Sequence, residues 1–392
     1  MSATLQPGAG HIRADTYLPS TPATVLWGRL PCGTDAPVLR IEAGTEVTID
    51  TVSHEGLLDD QGSDPLGFFA GHGVAPEDVL TDAVEIVGTL TRNHADGPHV
   101  VTGPIHVAGA MPGDLLAITV LETTPRVPYG VISNRHGRGA LPGELPRGPE
   151  NVSVFATVRD NHGCLPAVEG GERLIEFPLA PFLGIMGVAV AGDERPHSVP
   201  PGAHGGNIDI KLLQVGTTLY LPVQVPGALA YVGDPHFAQG DGEVALTALE
   251  ASLRATLRFD VVPRAEALAA FGEFTGPLVR TDEYLVPTGL DPDLGEAMRR
   301  CVRAAISLIR ARWGLDEHLA YAYLSAATDF DISQVVDIVC GVHARIRESD
   351  FAGVDRSLKS GERTNVGESR ADRPPSGRSP VLDAERAEGT DA

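Results

Sequence analysis

Leu253-Arg254-Ala255-Thr256-Leu257-Arg258-Phe259-Asp260-Val261 alternates apolar and polar side chains without a break. In an extended backbone, residues two apart point to one side. Leu253, Ala255, Leu257, Phe259 and Val261 therefore form a dry face, and Arg254, Thr256, Arg258 and Asp260 a wet one. The same period of two recurs at Glu46–His54, where Val47, Ile49 and Thr51 align. It recurs again at Leu115–Leu121 (Leu116, Ile118, Val120) and at Thr217–Val225 (Leu219, Leu221, Val223, Val225). Strands covered on a single side are the material of antiparallel sheets. Composition agrees, since 45 Gly and 31 Pro punctuate 392 residues with no fixed period, as many short strands and tight turns require.

The last third reads differently. Asp291-Pro292 offers an N-cap and a first-turn proline. Behind it Leu294, Ala297, Met298, Cys301, Ala305, Leu308 and Ile309 recur at three and four residues, an amphipathic helix that stops near Gly314. Asp316 is expected to cap a second helix through Leu319 and Tyr323, with a short strand, Val342–Ile346, after it. The predicted fold is α+β and β-rich: an antiparallel β-sandwich core over residues 1–262, α/β additions over 263–351 packing on it, and a disordered tail over 352–392. That tail mixes both charges with Pro, Ser and Gly and has few apolar residues to offset its ordering entropy.

A formal charge of −22 disfavours nucleic acid and anionic membranes as partners. Cys32, Cys164, Cys301 and Cys340 lie far apart with no CxxC pair. Together with a polar N-terminal stretch interrupted by Arg13 and Asp15, this leads us to expect a reduced, cytoplasmic protein. No run of 18 apolar residues is present.

The chemistry concentrates in His204–Glu243. Its polar residues fall in pairs two apart, Asn207 with Asp209, Asp234 with His236, and Asp241 with Glu243, so each pair can aim two polar atoms at one point. The apolar strand between the first two pairs is expected to act as a hairpin partner that gathers them. Asp241-Gly242 is also an ordinary turn signal, and Asp234 and His236 suit a structural hydrogen bond as well as a metal. One His among several carboxylates fits zinc, calcium or another hard cation. His54 and Glu55 end an apolar strand and would face opposite ways unless the chain turns there. His94, His99, His106, His136, His162 and His197 are read as surface or hydrogen-bonding residues. There is no Gly-x-Ser-x-Gly elbow and no nucleotide loop in a strand–helix setting. Cys301 lies on an apolar helix stripe and is assigned to the core.

Several blocks of the chain resemble the acetamidase/formamidase family: Ala203-His204-Gly-Gly-Asn207-Ile-Asp209-Ile-Lys211, Leu219-Tyr-Leu-Pro-Val223, and Gly233-Asp234-Pro-His236-Phe-Ala-Gln239-Gly-Asp241-Gly-Glu243. Thr102-Gly-Pro104, Gly109-Ala-Met-Pro-Gly113-Asp114 and Ile332-Ser-Gln334-Val-Val336-Asp337 are similar too, and the blocks keep one order over about residues 10–350. The resemblance implies a homo-oligomeric amidase that hydrolyses formamide, acetamide or a similar linear amide to a carboxylate and ammonia. It also implies metal binding, which we assign to Asp209, Asp234 and His236, with a divalent ion and zinc favoured over calcium. Glu243 is assigned as general base and His204 as a substrate or oxyanion contact. His54, Asn207 and Gln239 are assigned to substrate binding. Two departures, Thr51-Val-Ser-His54-Glu55 where formamidase-like members have Trp-Thr-Gly-Gly, and Ala-His204-Gly-Gly for Asn-Cys-Gly, lean away from formamide. The rival readings are a non-catalytic metal- or carbohydrate-binding sandwich and a hydrolase of a related C–N bond such as a cyclic amide.

Overall fold

The computed structural model describes residues 4–168, 171–273 and 275–354. Of the tail expected from residue 352, positions 355–392 lie outside the described residues, while Val354 still packs on a core.

Two sheets, antiparallel almost throughout, face each other across one large apolar core. The first sheet orders its nine strands as Thr16–Leu18, Thr45–Asp50, Leu253–Val262, Leu115–Pro125, Thr218–Pro222, Leu278–Arg280, Tyr284–Asp291, Cys340–Arg347 and Asp329–Gln334. The second has eleven, with Ala230–Ala238 at its centre. That strand pairs with Phe182–Gly187, Val100–Val107 and the two-residue Leu249–Glu250. The α+β, β-rich expectation holds. Leu253, Ala255, Leu257 and Phe259 are buried in the core as the alternation requires.

The wet face of that strand is not wet along its whole length. Arg254 and Thr256 are buried, as are Thr48 and Asp50 on the neighbouring strand. Arg254 grips both Asp50 oxygens at 2.7 and 3.0 Å and reaches the Ala9 and His11 carbonyls, so the N-terminal segment covers this face. A charge buried with such a partner set costs far less than a bare one.

The C-terminal additions form a second apolar core on the end of the nine-stranded sheet. The long helix is Leu294–Trp313, and its cap is Asp293, whose side chain accepts from the Glu296 amide at 2.7 Å. The expected cap Asp291 instead ends a strand and accepts from the Asp293 amide, because Pro292 lies in the corner between them. Gly314 closes the helix at φ +75°. Asp316 caps Glu317–Ala327, and the expected strand is Cys340–Arg347, but a further strand, Asp329–Gln334, comes between them and pairs with it. Met298, expected on the buried stripe, is exposed, and Trp313 completes the stripe instead. Cys301 is core, and all four cysteines are free. No helix among the described residues is long and apolar enough to cross a membrane.

Candidate active site

Ala230–Ala238 carries Asp234 and His236, and its pairing decides what surrounds them. Glu250 stands directly opposite His236 in the register with Leu249–Glu250, which puts both side chains on one face. His236 Nε2 lies 3.0 Å from Glu250 and 3.0 Å from Asp234 Oδ2. On the other side, Leu183 pairs with Pro235 and Ile185 with Gly233, leaving Gly184 beside Asp234. The Gly184 carbonyl accepts the amides of Ile208 and Asp209 at 3.1 and 3.2 Å and so pins the Asp209 segment to this strand. A Cβ at Gly184 would stand 2.7 Å from both Asp234 Oδ2 and His236 Cε1 and would press on Asp209, so only glycine fits.

The expected hairpin therefore does not gather the site. Thr218–Pro222 belongs to the other sheet, between Leu115–Pro125 and Leu278–Arg280. The work is done by Phe182–Gly187, a strand buried on both faces whose sequence shows no alternation.

Asp209, Asp234 and Glu243 all adopt left-handed backbone conformations, with φ of +46°, +50° and +48°. Such conformations cost a non-glycine residue about 1–3 kcal/mol and gather where geometry serves function. The turn at Glu243 breaks its pairing with Asp241, which is exposed and held by Lys211 at 2.5 Å. Asp241-Gly242 is thus a turn, with Gly242 at φ +98°.

Four more side chains complete the ring. The chain turns after Asp50, so His54 and Glu55 meet, with His54 Nε2 3.2 Å from Glu55 Oε1 and Nδ1 3.5 Å from Asp234 Oδ1. His99 faces Asp234 Oδ1 across 3.8 Å. Asp337 follows the strand Asp329–Gln334, where the Gln334 side chain accepts from its amide at 3.1 Å. His54, His99, Asp209, Asp234, His236, Glu243, Glu250 and Asp337 are all buried.

Burial and the neighbouring Glu243 push the Asp209 carboxyl well above the usual range. Burial and Asp337 do the same to Glu243, and burial and Asp234 to Glu250. Burial lifts Asp337 to about 7. His236 is raised because Glu250 and Asp234 outweigh its burial, and His54 rises to about 10 because Asp234 and Glu55 outweigh the same effect. Burial lowers His99 to about 4. Asp234 is held well below the ordinary range, since His99 and His236 overcome its burial. Carboxylates outnumber their partners here, and some must keep protons unless a cation neutralises them.

The donor set fits such a cation. Asp209 Oδ1 and Oδ2, Asp234 Oδ1, Glu250 Oε2 and Asp337 Oδ2 are buried without a hydrogen-bond partner among the described residues, and His236 Nε2 meets only the carboxylates of Asp234 and Glu250. Ligand atoms of Asp209, His236 and Glu243 lie within 4.8 Å of one another, as do those of Asp234, His236 and Glu250, and those of His54, His99 and Asp234. His236 Nδ1 donates to Gln239 Oε1 at 3.0 Å, and His99 Nδ1 shares a hydrogen bond with Ser198 Oγ at 3.1 Å. Both rings so present Nε2 inward, the usual support for a metal-ligating histidine.

Above this floor opens a cavity of about 460 Å³, lined in part by His54, His99, Asn207, Asp234, Glu243, Glu250 and Asp337. Asp209, Asp234, His236 and Glu243 come together as the sequence suggested, with His54 and Asn207 at the wall. Gln239 sits behind the floor, since its amide also donates to the carbonyls of Asp209 and Ser333. His204 is half-buried beside Gly202 and Gly206 and is not among the cavity-lining residues. Glu250, His99 and Asp337 were not assigned from sequence. Only Asp337 had a signal, its place in a family-like block; Glu250 and His99 are recruited by register and fold alone.

A sequence model of the Acetamidase/Formamidase family matches residues 189–346. The formamidase of Methylophilus methylotrophus is 31% identical over 192 residues, covering 37% of this chain and 47% of that protein. The acetamidase of Mycolicibacterium smegmatis is 26% identical over 301 residues, covering 58% and 73%. The matched region is thus about half the length of the formamidase. The fold is shared with a recombinant predicted acetamidase/formamidase from Thermoanaerobacter tengcongensis. The TM-score is 0.69 and the identity 21%, over 86% of this chain and 97% of that one.

Proposed function

From the premise that the chain belongs to the acetamidase/formamidase family, we propose that this site hydrolyses the C–N bond of a carboxamide, releasing a carboxylate and ammonia. The observation that carries the proposal is the floor of unpartnered buried carboxylate oxygens around His236, beneath an open cavity.

Asp209, Asp234, His236 and Glu250 would hold a divalent cation, with His54 and His99 on its Asp234 side. The mix of imidazole and carboxylate favours zinc over calcium. When bound, such an ion supplies polarisation of a carbonyl and acidification of water near neutral pH. Glu243 and Asp337 both line the cavity, and burial together with Asp337 raises the Glu243 carboxyl, which suits it to hold and pass on a proton. Glu243 takes the proton of the attacking water at its carboxylate. That proton then passes to the amide nitrogen, which an amide needs because its anion is a very poor leaving group. Asn207 lines the same wall and can orient the substrate. Glu55 is held below its ordinary range, at about 2, because Arg135 and His54 outweigh its burial, so it stays charged and fixes His54. We also expect a homo-oligomer, which a solution mass measurement would test.

The experiment is an ammonia-release screen over formamide, acetamide, propionamide, longer amides and a cyclic amide, before and after treatment with chelator. Release that falls on chelation and returns with added divalent ion is the expected result. A protein that binds the ion tightly and cleaves no amide would instead be a binding module.

A further inference from the structure

We propose that the substrate is an amide with a carboxylate at its far end, and that Arg138 at the cavity rim recognises that carboxylate. This rests on the amidase reading and narrows it.

The first observation is size. A short amide occupies the space of about three waters, on the order of 100 Å³. The cavity is about 460 Å³, within the range of pockets that enclose considerably larger ligands. Most of it would stay filled with water if acetamide were the substrate.

The second observation is the charge around the rim. Asp59 is taken by Arg92 at 3.1 Å and by His94 at 3.2 Å. Asp60 is taken by Arg135 at 2.8 Å, and the same guanidinium spans to Glu55 at 3.1 Å. Asp96 is taken by Arg29 at 2.6 Å. Arg92 is fixed further by the carbonyls of Asn93 and Asp96 and by the face of Trp27. Each rim acid is therefore matched, and two of the three arginines that line the cavity are spoken for.

Arg138 is the third. It lines the cavity, is exposed, and makes no ion pair or side-chain hydrogen bond among the described residues. It sits on the turn after Tyr129–Asn134, tied by its own amide to the Arg135 carbonyl at 3.1 Å, so its base is anchored while its head is free. A lone guanidinium over a pocket in a chain of charge −22 is a local positive spot against an acidic whole. Its planar fork suits a carboxylate. With the reacting amide at the acidic floor, a molecule carrying a carboxylate at its other end would meet Arg138 at the mouth. The chemical class is a monoamide of a dicarboxylic acid.

The test compares monoamides of succinic, glutaric and adipic acid with neutral amides of equal length, using the full chain as purified with its ion. For at least one acid-ended amide, kcat/KM should exceed that of its neutral match by about tenfold, mostly through KM. Arg138→Ala should remove this preference while leaving neutral amides unchanged, and Arg138→Lys should restore part of it. A second arm titrates the corresponding dicarboxylates calorimetrically, where Arg138→Ala should weaken binding by about tenfold. If no amide of either kind releases ammonia but dicarboxylate binding still depends on Arg138, the amidase reading fails and the anion subsite stands. Equal turnover of both amide classes, together with dicarboxylate binding indifferent to Arg138→Ala, overturns the proposal.

Discussion

Asp50, Asp82, Arg126 and Arg254 are buried as deeply as Asp209, Asp234, His236 and Glu250, yet the two groups are built to opposite rules. In the first, Arg254 clamps Asp50, Tyr17 adds a hydroxyl at 2.5 Å, and Arg126 reaches Asp82 at 2.7 Å and the carbonyls of Leu5 and Thr51. Permanent cations answer each carboxylate, and the network ties the N-terminal segment, the sandwich and the helix Thr81–Thr89 together. In the second, no arginine pairs with these carboxylates among the described residues, like charges crowd, and the backbone is strained at Asp209, Asp234 and the neighbouring Glu243. Buried charge that the protein itself neutralises holds a fold. Buried charge that it leaves unanswered suits the binding of a cation.

The widest contrast comes from removing one member of each. His236→Ala should lower amide turnover by about ten-thousandfold, near 5 kcal/mol of transition-state stabilisation, with the unfolding midpoint almost unmoved. Near-normal turnover would remove His236 from the chemistry. Arg126→Ala should do the reverse. It leaves Asp82 buried and uncompensated, so denaturant titration should show a loss of about 3–5 kcal/mol, while the folded fraction keeps its ion and its KM.

A smaller effect has the more telling sign. Without a cation, the folded chain keeps a proton on Asp209 at a pH where the unfolded chain has released it, because its carboxyl is raised by burial and by Glu243. Stability of the cation-free protein therefore falls as pH climbs above the ordinary carboxyl range. Asp209→Asn has no proton to release, so it should stabilise the cation-free protein at neutral pH by about 1–2 kcal/mol while abolishing activity. A destabilisation there would mean that Asp209 is structural, like Asp50.

The same contrast explains what could be read from sequence. Strands with one polar face, such as Leu253–Val262, and the helix Leu294–Trp313 announce themselves by period, and Asp234 and His236 by spacing. Phe182–Gly187 does not, because a strand buried on both sides has no alternation to show. With no alternation to mark that strand, Thr218–Pro222 looks like the hairpin partner, and nothing in the sequence points to Gly184, whose missing side chain lets the floor close. Glu250 stands alone in an apolar stretch and is brought in by its register opposite His236. His99 looks like any loop histidine until the fold sets it against Asp234. Even the polar face at Arg254 is buried, because what covers it comes from residues about 245 positions away. Local pattern reveals which side chains share a face; it cannot reveal which faces meet.

The most direct measurement of the central claim is the divalent-ion content of the purified chain and of its His236→Ala variant, by elemental analysis, with turnover followed through chelation and reloading. The floor as described predicts at least one tightly held ion per chain, lost from the variant, with activity that disappears and returns alongside it. A chain stripped of every divalent ion that still cleaves its amide at the full rate would contradict the account outright.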